Sequence, residues 1–142
     1  MDIEKFSQQI TEEVKFHEVD MLGVCNNAVY LSYFEDARLK YLQNLSKKYK
    51  FKEFLQNESF VIIARNEIDY LNSSHLDDLL TVYTRIPKVS KSSFIFEHLV
   101  YRESDKTEIA KGSGVLVHIN RNTKQSMLLP GEFHKAILDF EK

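Results

Sequence analysis

The segment most able to carry out chemistry lies between residues 20 and 27, where an aspartate precedes the start of a helical pattern. Asp20 is followed by Gly23 and by the pair Asn26 and Asn27. The first N–H groups of a helix have no partner within it, and with the helix dipole they can hold a developing oxyanion. A carboxylate beside such donors suits acyl transfer, in which it attacks a carbonyl or activates water. Aspartate is equally a common cap residue, so the residues alone leave both roles open.

Three neighbouring side chains have both a chemical and a structural interpretation. Cys25 could be a nucleophile, but no histidine is fixed near it in the sequence, and a buried, inert cysteine is commoner. His17 and Glu18 come just before Asp20, and either could orient it or lie on the surface.

The helix that follows carries a second set of candidates. Glu35 offers a second carboxylate, although its spacing from Arg38 predicts an ion pair on the helix surface. The aromatic residues Tyr30, Tyr33 and Phe34 predict either a hydrophobic core or the lining of an acyl pocket.

The spacing of reactive residues excludes several other kinds of site. The sequence has no P-loop, no Rossmann glycine motif and no nucleophile elbow. With one cysteine and scattered histidines, no metal site and no cofactor are expected. The 19 basic and 21 acidic residues give a net charge of −2, which favours neither nucleic acid nor anionic lipid as a partner. The histidines are His17, His75, His98, His118 and His134.

The length of 142 residues predicts a single domain, 1–142. No apolar run approaches the ~18 residues of a membrane span, and the N-terminus lacks the features of a signal peptide. We therefore expect a cytoplasmic protein.

The apolar pattern predicts the elements that position these residues. Alternation predicts a strand from Ile10 to Phe16. From Ala28 apolar residues recur in steps of three and four, which predicts one helix roughly 30 Å long. After a short helix or loop at Phe51–Glu58, alternation and turn residues predict four antiparallel strands in a meander. A last helix is predicted at Glu132–Phe140.

A five-stranded antiparallel sheet packed on one long helix is an α+β fold. Ala110, Gly112 and Gly114 share one face of the last strand, so another element can approach the sheet closely there. One helix covers one face only, and the other face and an open edge favour oligomerisation.

Four motifs resemble those of hot-dog-fold thioesterases of the 4-hydroxybenzoyl-CoA thioesterase type. Residues 20–27 are similar to the signature D-x-x-G-[HI]-V-x-[NY], and residues 30–38 match Y-x-x-[YF]-[FL]-E-x-A-R. Residues 78–82 match D-x-L-x-V, and residues 91–94 match [KR]-x-S-F. Many relatives have histidine after the signature glycine, whereas this chain has Val24.

The resemblance implies a role for each matching residue. Asp20 falls on the catalytic aspartate, the backbone N–H of Asn27 on the oxyanion donor, and Gly23 on the turn where the backbone passes close to the thioester. The implied fold is a hot-dog domain, with the five-stranded sheet wrapped around a central helix.

The implied reaction is hydrolysis of an acyl-CoA or aroyl-CoA to the free acid and CoA. Tyr30 and Ser93 are then expected to contact the substrate, and Lys88, Lys91 and Arg85 can meet the phosphates of CoA. Two alternatives stay open: a thioesterase for acyl carrier protein, and a hot-dog module that binds acyl thioesters without turnover. In relatives two domains pair edge to edge, which implies a homodimer or homotetramer with sites at the interface.

Overall fold

The computed structural model describes residues 3–49 and 59–142, and the predicted short helix or loop at Phe51–Glu58 lies outside them. The described chain forms the predicted α+β fold, with one strand, a long helix, four strands and a final helix. Neither described helix is long and apolar enough to cross a membrane. The elements are β1 (Gln8–Glu13), α1 (Val29–Lys48), β2 (Ser59–Tyr70), β3 (Leu79–Val89), β4 (Ser93–Arg102), β5 (Thr107–Asn120) and α2 (Gly131–Phe140).

The strands form one antiparallel sheet in the order β1-β3-β4-β5-β2. The predicted meander is therefore correct for β3, β4 and β5, which short turns connect, but wrong for β2. This strand pairs with β5 along its length, from Ser59 opposite Asn120 to Tyr70 opposite Ala110. The connection of residues 71–78 is long enough to carry the chain across the sheet. As a result β2 is an edge strand.

The long helix packs against one face of the sheet through the predicted apolar face. The five residues spaced at three and four are at most 2% exposed, because each turn of the helix returns them to the same side. The helix has 20 residues, so it spans about 30 Å and runs along the sheet from one end to the other. These residues are Tyr30, Phe34, Ala37, Tyr41 and Leu45.

The small residues of β5 allow the helix to come close to the sheet, as predicted. A Cβ atom at Gly112 would lie 2.8 Å from the ring of Phe34 and would collide with the backbone oxygen of Glu67. Only glycine fits at this position, because Phe34 and β2 occupy the space that a side chain would need.

The predicted first strand is wrong at its C-terminal end. β1 stops at Glu13, and Phe16 lies in a short 3₁₀ turn with 80% of its surface exposed. The backbone of Val14 instead bonds residues 77–78, donating to the oxygen of Asp78 and accepting the N–H of Asp77, both at 2.9 Å. These bonds direct the chain out of the sheet and into the loop that holds Asp20.

Candidate active site

The loop between the 3₁₀ turn and α1 is a tight turn that starts at Asp20. The N–H of Asp20 donates to the oxygen of Val24 at 2.9 Å, and the N–H of Gly23 donates back to the oxygen of Asp20 at 3.0 Å. Gly23 has a φ of +80°, in the left-handed region that glycine adopts without strain. The turn glycine is therefore required by the backbone.

The side chain of Asp20 is exposed, and only one of its two carboxylate oxygens is occupied within the described chain. Oδ1 accepts the N–H of Leu22 at 2.9 Å, which is an Asx turn. Within residues 3–49 and 59–142, no group donates to Oδ2. Asp20 thus holds the turn with one oxygen and presents the other to solvent.

The backbone N–H of Asn27 stands unpaired just before α1 in the described chain. The Oδ1 of Asn26 accepts the N–H of Ala28 at 3.0 Å, and its backbone oxygen accepts the N–H of Val29 at 2.9 Å. Asn26 therefore binds the N–H groups of Ala28 and of Val29, the first residue of α1. The N–H of the exposed Asn27 has no acceptor among the residues that the structure describes. A free N–H at the positive end of a helix dipole can bind a carbonyl oxygen or an oxyanion.

The loop of residues 72–78 is hydrogen-bonded to the segment that precedes α1. The N–H of Cys25 donates to the backbone oxygen of Ser74 at 2.8 Å, and Val24 pairs with His75. The hydroxyl oxygens of Tyr30 and Ser74 are 2.7 Å apart. No sequence spacing pointed to Ser74, because only the fold places residues 72–78 under the helix start.

The thiol of Cys25 fits the structural interpretation better than the nucleophilic one. The residue is 3% exposed, and burial raises the pKa of the thiol. A raised pKa lowers the fraction of reactive thiolate at neutral pH. Cys25 packs in the core beneath the loop, with Tyr30 and Tyr33.

A small cavity lies between the segment before α1 and the end of β2. Its volume is about 170 Å³, and Tyr30, Tyr70 and Leu71 line it together with Cys25. This volume corresponds to about five or six water-sized groups. Asn27 is among the residues that line the cavity, and Asp20 is not.

The other candidate residues of α1 lie at positions that fit a structural role. Tyr33 and Phe34 are 1% and 0% exposed and belong to the core. The expected ion pair is wrong: within the described chain Glu35 makes no salt bridge to Arg38, and Glu35 is exposed. The Nη1 of Arg38 is buried without a hydrogen-bond partner in the described structure.

The predicted CoA-binding residues lie at the opposite end of the sheet from Asp20. The side chains of Lys88 and Lys91 are exposed, and Lys88 lines a groove of about 450 Å³ between β3 and α2. Ser93 begins β4 at the same end, and Arg85 forms an ion pair with Glu97 at 3.0 Å.

At about 3.3 Å per residue, β3 places Lys88 roughly 30 Å from Leu79, the strand end nearest the Asp20 loop. One chain does not bring these residues together. Among residues 3–49 and 59–142, no group of three or more His, Cys, Asp or Glu could hold a metal ion.

Comparison with known proteins gives one family. A model of the thioesterase-like superfamily matches residues 14–137. Acyl-CoA thioesterase YbgC from Haemophilus influenzae is 32% identical over 64% of this chain and 66% of that protein, slightly less than two thirds of its length. Long-chain acyl-CoA thioesterase FadM from Escherichia coli is 27% identical over 88% of this chain and 92% of that protein.

Solved structures give the same result. The crystal structure of a thioesterase from Thermus thermophilus, complexed with coenzyme A and Zn, is similar to this chain with a TM-score of 0.79. The two sequences are 33% identical, and the match covers 97% of this chain and 96% of that one.

Proposed function

The chain belongs to the thioesterase-like superfamily and is a thioester hydrolase, and we propose that its substrate is acyl-CoA. In this proposal Asp20 is the catalytic carboxylate, and the N–H of Asn27 is the oxyanion donor. One observation carries the proposal. The same short loop presents a carboxylate oxygen and a backbone N–H, and neither has a partner in the described chain. Named relatives that are acyl-CoA thioesterases support CoA as the carrier.

The reaction follows from these two groups. The thioester carbonyl oxygen accepts the N–H of Asn27, which polarises the carbonyl and stabilises the tetrahedral intermediate. As a general base, Asp20 takes a proton from water while the water oxygen bonds to the carbonyl carbon. The C–S bond then breaks, and the proton passes to the sulfur of CoA. As a nucleophile, Asp20 bonds to the carbonyl carbon itself, and the C–S bond breaks so that CoA leaves as the thiolate. Water then hydrolyses the resulting anhydride, which restores the carboxylate of Asp20 and releases the acid, and a proton from the water passes to the thiolate.

Assembly into a dimer through β2 would bring the distant lysines to the substrate. The outer edge of β2 has no neighbouring strand in the described sheet, and an unpaired edge of 12 residues is a template for another strand. Two copies paired antiparallel along this edge would have their sheets reversed relative to each other. The end with Lys91 in one copy would then lie beside the Asp20 loop of the other. We propose a homodimer or a larger assembly with such composite sites.

The test is a turnover assay with a panel of acyl-CoA and aroyl-CoA substrates, read by the release of free thiol. We expect hydrolysis of at least one of them, with loss of turnover in Asp20→Asn. The panel also distinguishes aliphatic from aromatic acyl groups, between which the sequence does not choose. Hydrolysis of acyl carrier protein thioesters but of no acyl-CoA would favour the first alternative. Binding of every thioester without thiol release would favour the non-catalytic module and overturn the proposal.

A further inference from the structure

We propose that Glu18 and Tyr33 are positioning residues that fix the Asp20 loop to the first turns of α1, an inference that rests on the catalytic role proposed for Asp20. Tyr33 is a core residue, and its sequence position gives no sign of this role. Its hydroxyl donates to Oε1 of Glu18 at 2.7 Å. The bond connects the helix that carries the oxyanion donor to the turn that leads into the carboxylate.

Glu18 connects three parts of this region. Its Oε1 accepts the backbone N–H of Lys15 at 2.9 Å in addition to the hydroxyl of Tyr33. Its backbone oxygen accepts the N–H of Asn26 at 2.8 Å. Glu18 therefore holds the start of the 3₁₀ turn and the helix with its side chain, and the far end of the loop with its backbone.

The protonation states of Glu18 and Tyr33 at neutral pH favour a stable hydrogen bond between them. Burial by itself would raise the pKa of Glu18, but the hydrogen bonds from Lys15 and Tyr33 outweigh it, and the pKa is lowered. Burial and the adjacent carboxylate raise the pKa of Tyr33. At neutral pH the carboxylate is thus ionised and the phenol is protonated, which gives a strong charge-assisted hydrogen bond.

The functional consequence concerns the distance between the two reacting groups. Asp20 lies two residues after Glu18, and Asn27 lies one residue after the N–H that Glu18 accepts. A misplacement of about 1 Å in a catalytic arrangement can cost about 10²-fold in rate. Loss of the Tyr33 hydroxyl leaves the ring in the core and the bond from Lys15 to Glu18 intact, but it disconnects the side chain of Glu18 from α1. The loop is therefore expected to lose alignment without loss of the fold.

The experiment measures kcat, KM and melting temperature for Tyr33→Phe, Glu18→Ala and Glu18→Gln. We expect Tyr33→Phe and Glu18→Ala each to lower kcat about 10- to 100-fold with KM changed less than about threefold. Glu18→Gln keeps an oxygen that can accept both hydrogen bonds, so it should recover most of the kcat lost in Glu18→Ala. The double variant Tyr33→Phe/Glu18→Ala should be no slower than the slower single variant, because one connection is removed in each case.

Tyr83→Phe is a matched control. The hydroxyl of Tyr83 also donates to a glutamate, Glu103, but on the face of the sheet away from α1. This variant should retain the kcat of the wild type. If Tyr33→Phe lowers only the melting temperature and kcat stays within threefold while Asp20→Asn is inactive, the pair is structural and the inference is wrong. An active Asp20→Asn would instead overturn the proposed function.

Discussion

The backbone oxygen of Glu18 accepts the N–H of Asn26 at 2.8 Å, so the two ends of the loop that contains Asp20 are joined. This bond makes the loop a closed unit at the start of α1. The free carboxylate oxygen of Asp20 and the free N–H of Asn27 therefore lie on or next to one loop closed by a backbone hydrogen bond, and the proposed mechanism uses both groups.

The substitution Asp20→Asn separates the catalytic role of Asp20 from its role in the turn. Asparagine can accept the same N–H from Leu22, so the turn and the fold should persist. The negative charge is lost, and removal of a positioned base costs ~10²–10⁴ in kcat, while KM should change little. Steady-state kinetics with an acyl-CoA checks this. A kcat within about threefold of the wild type would leave less than about 1 kcal/mol of barrier to explain and would remove the catalytic assignment.

The substitution Asn27→Ala tests whether the backbone, and not the side chain, of Asn27 binds the oxyanion. The exposed side chain can be removed while the N–H remains, so kcat should stay within about threefold of the wild type. The same kinetic assay provides the measurement. A drop of about 100-fold in a folded protein would assign the oxyanion contact to the amide side chain instead.

A mixture of two impaired chains tests the composite sites. Lys91→Glu should raise KM for acyl-CoA, because a glutamate repels the phosphates, and Asp20→Asn abolishes turnover. In a dimer with shared sites, a heterodimer of the two variants has one site with both substitutions and one wild-type site. Random assembly of co-expressed chains then gives wild-type activity at roughly one quarter of all sites.

The rate of the mixture at low substrate concentration distinguishes shared sites from sites within single chains. If each site lay within a single chain, the mixture would show only the average of the rates measured for the two variants separately. Sedimentation of the wild type as a fully active monomer at micromolar concentration would exclude the assembly altogether.

The close contact at Gly112 predicts a stability defect without a direct effect on the site. In Gly112→Ala the new methyl group meets the ring of Phe34 and the backbone of β2, and overpacking of this kind costs about 1–3 kcal/mol. Urea denaturation measures the free energy of unfolding. Gly131→Ala is the control: nothing lies within 4 Å of its new Cβ, so it should be neutral or stabilising by up to about 1 kcal/mol. Equal effects of the two substitutions would contradict the tight packing of α1 on β5.

The carboxyl group of Glu12 predicts a pH dependence of stability. Burial, together with the adjacent carboxylate of Asp36, raises the pKa of Glu12 from 4.5 to about 7. Between these values the folded state keeps a proton that the unfolded state has lost, so this group makes stability fall as the pH rises from about 4.5 to about 7. Above about pH 7 its effect is constant.

The variant Glu12→Gln cannot ionise and should lack this fall. Its melting temperature relative to the wild type should therefore be higher at pH 8 than at pH 5. Glu13→Gln, an exposed neighbour on the opposite face of β1, is the control and should show no such difference. The same pH trend in both variants would rule out Glu12 as the cause.

The sequence by itself determined most of the helices and strands. The spacing of Tyr30, Phe34 and Ala37 predicted α1, because a helix returns residues three and four apart to the same face. Alternation predicted the strands, apart from the C-terminal end of β1. All of these depend on interactions between residues close in the chain, which local pattern records directly.

Only the tertiary structure decided which distant residues meet. It placed β2 at the sheet edge beside β5, and Ser74 beneath the start of α1. It also placed Lys91 at the far end from Asp20. It brought the hydroxyl of Tyr33, whose spacing predicts a core residue, within hydrogen-bond distance of Glu18. Such contacts depend on how strands pair and how the helix crosses the sheet, and these are set by packing over the whole fold, which no local spacing encodes.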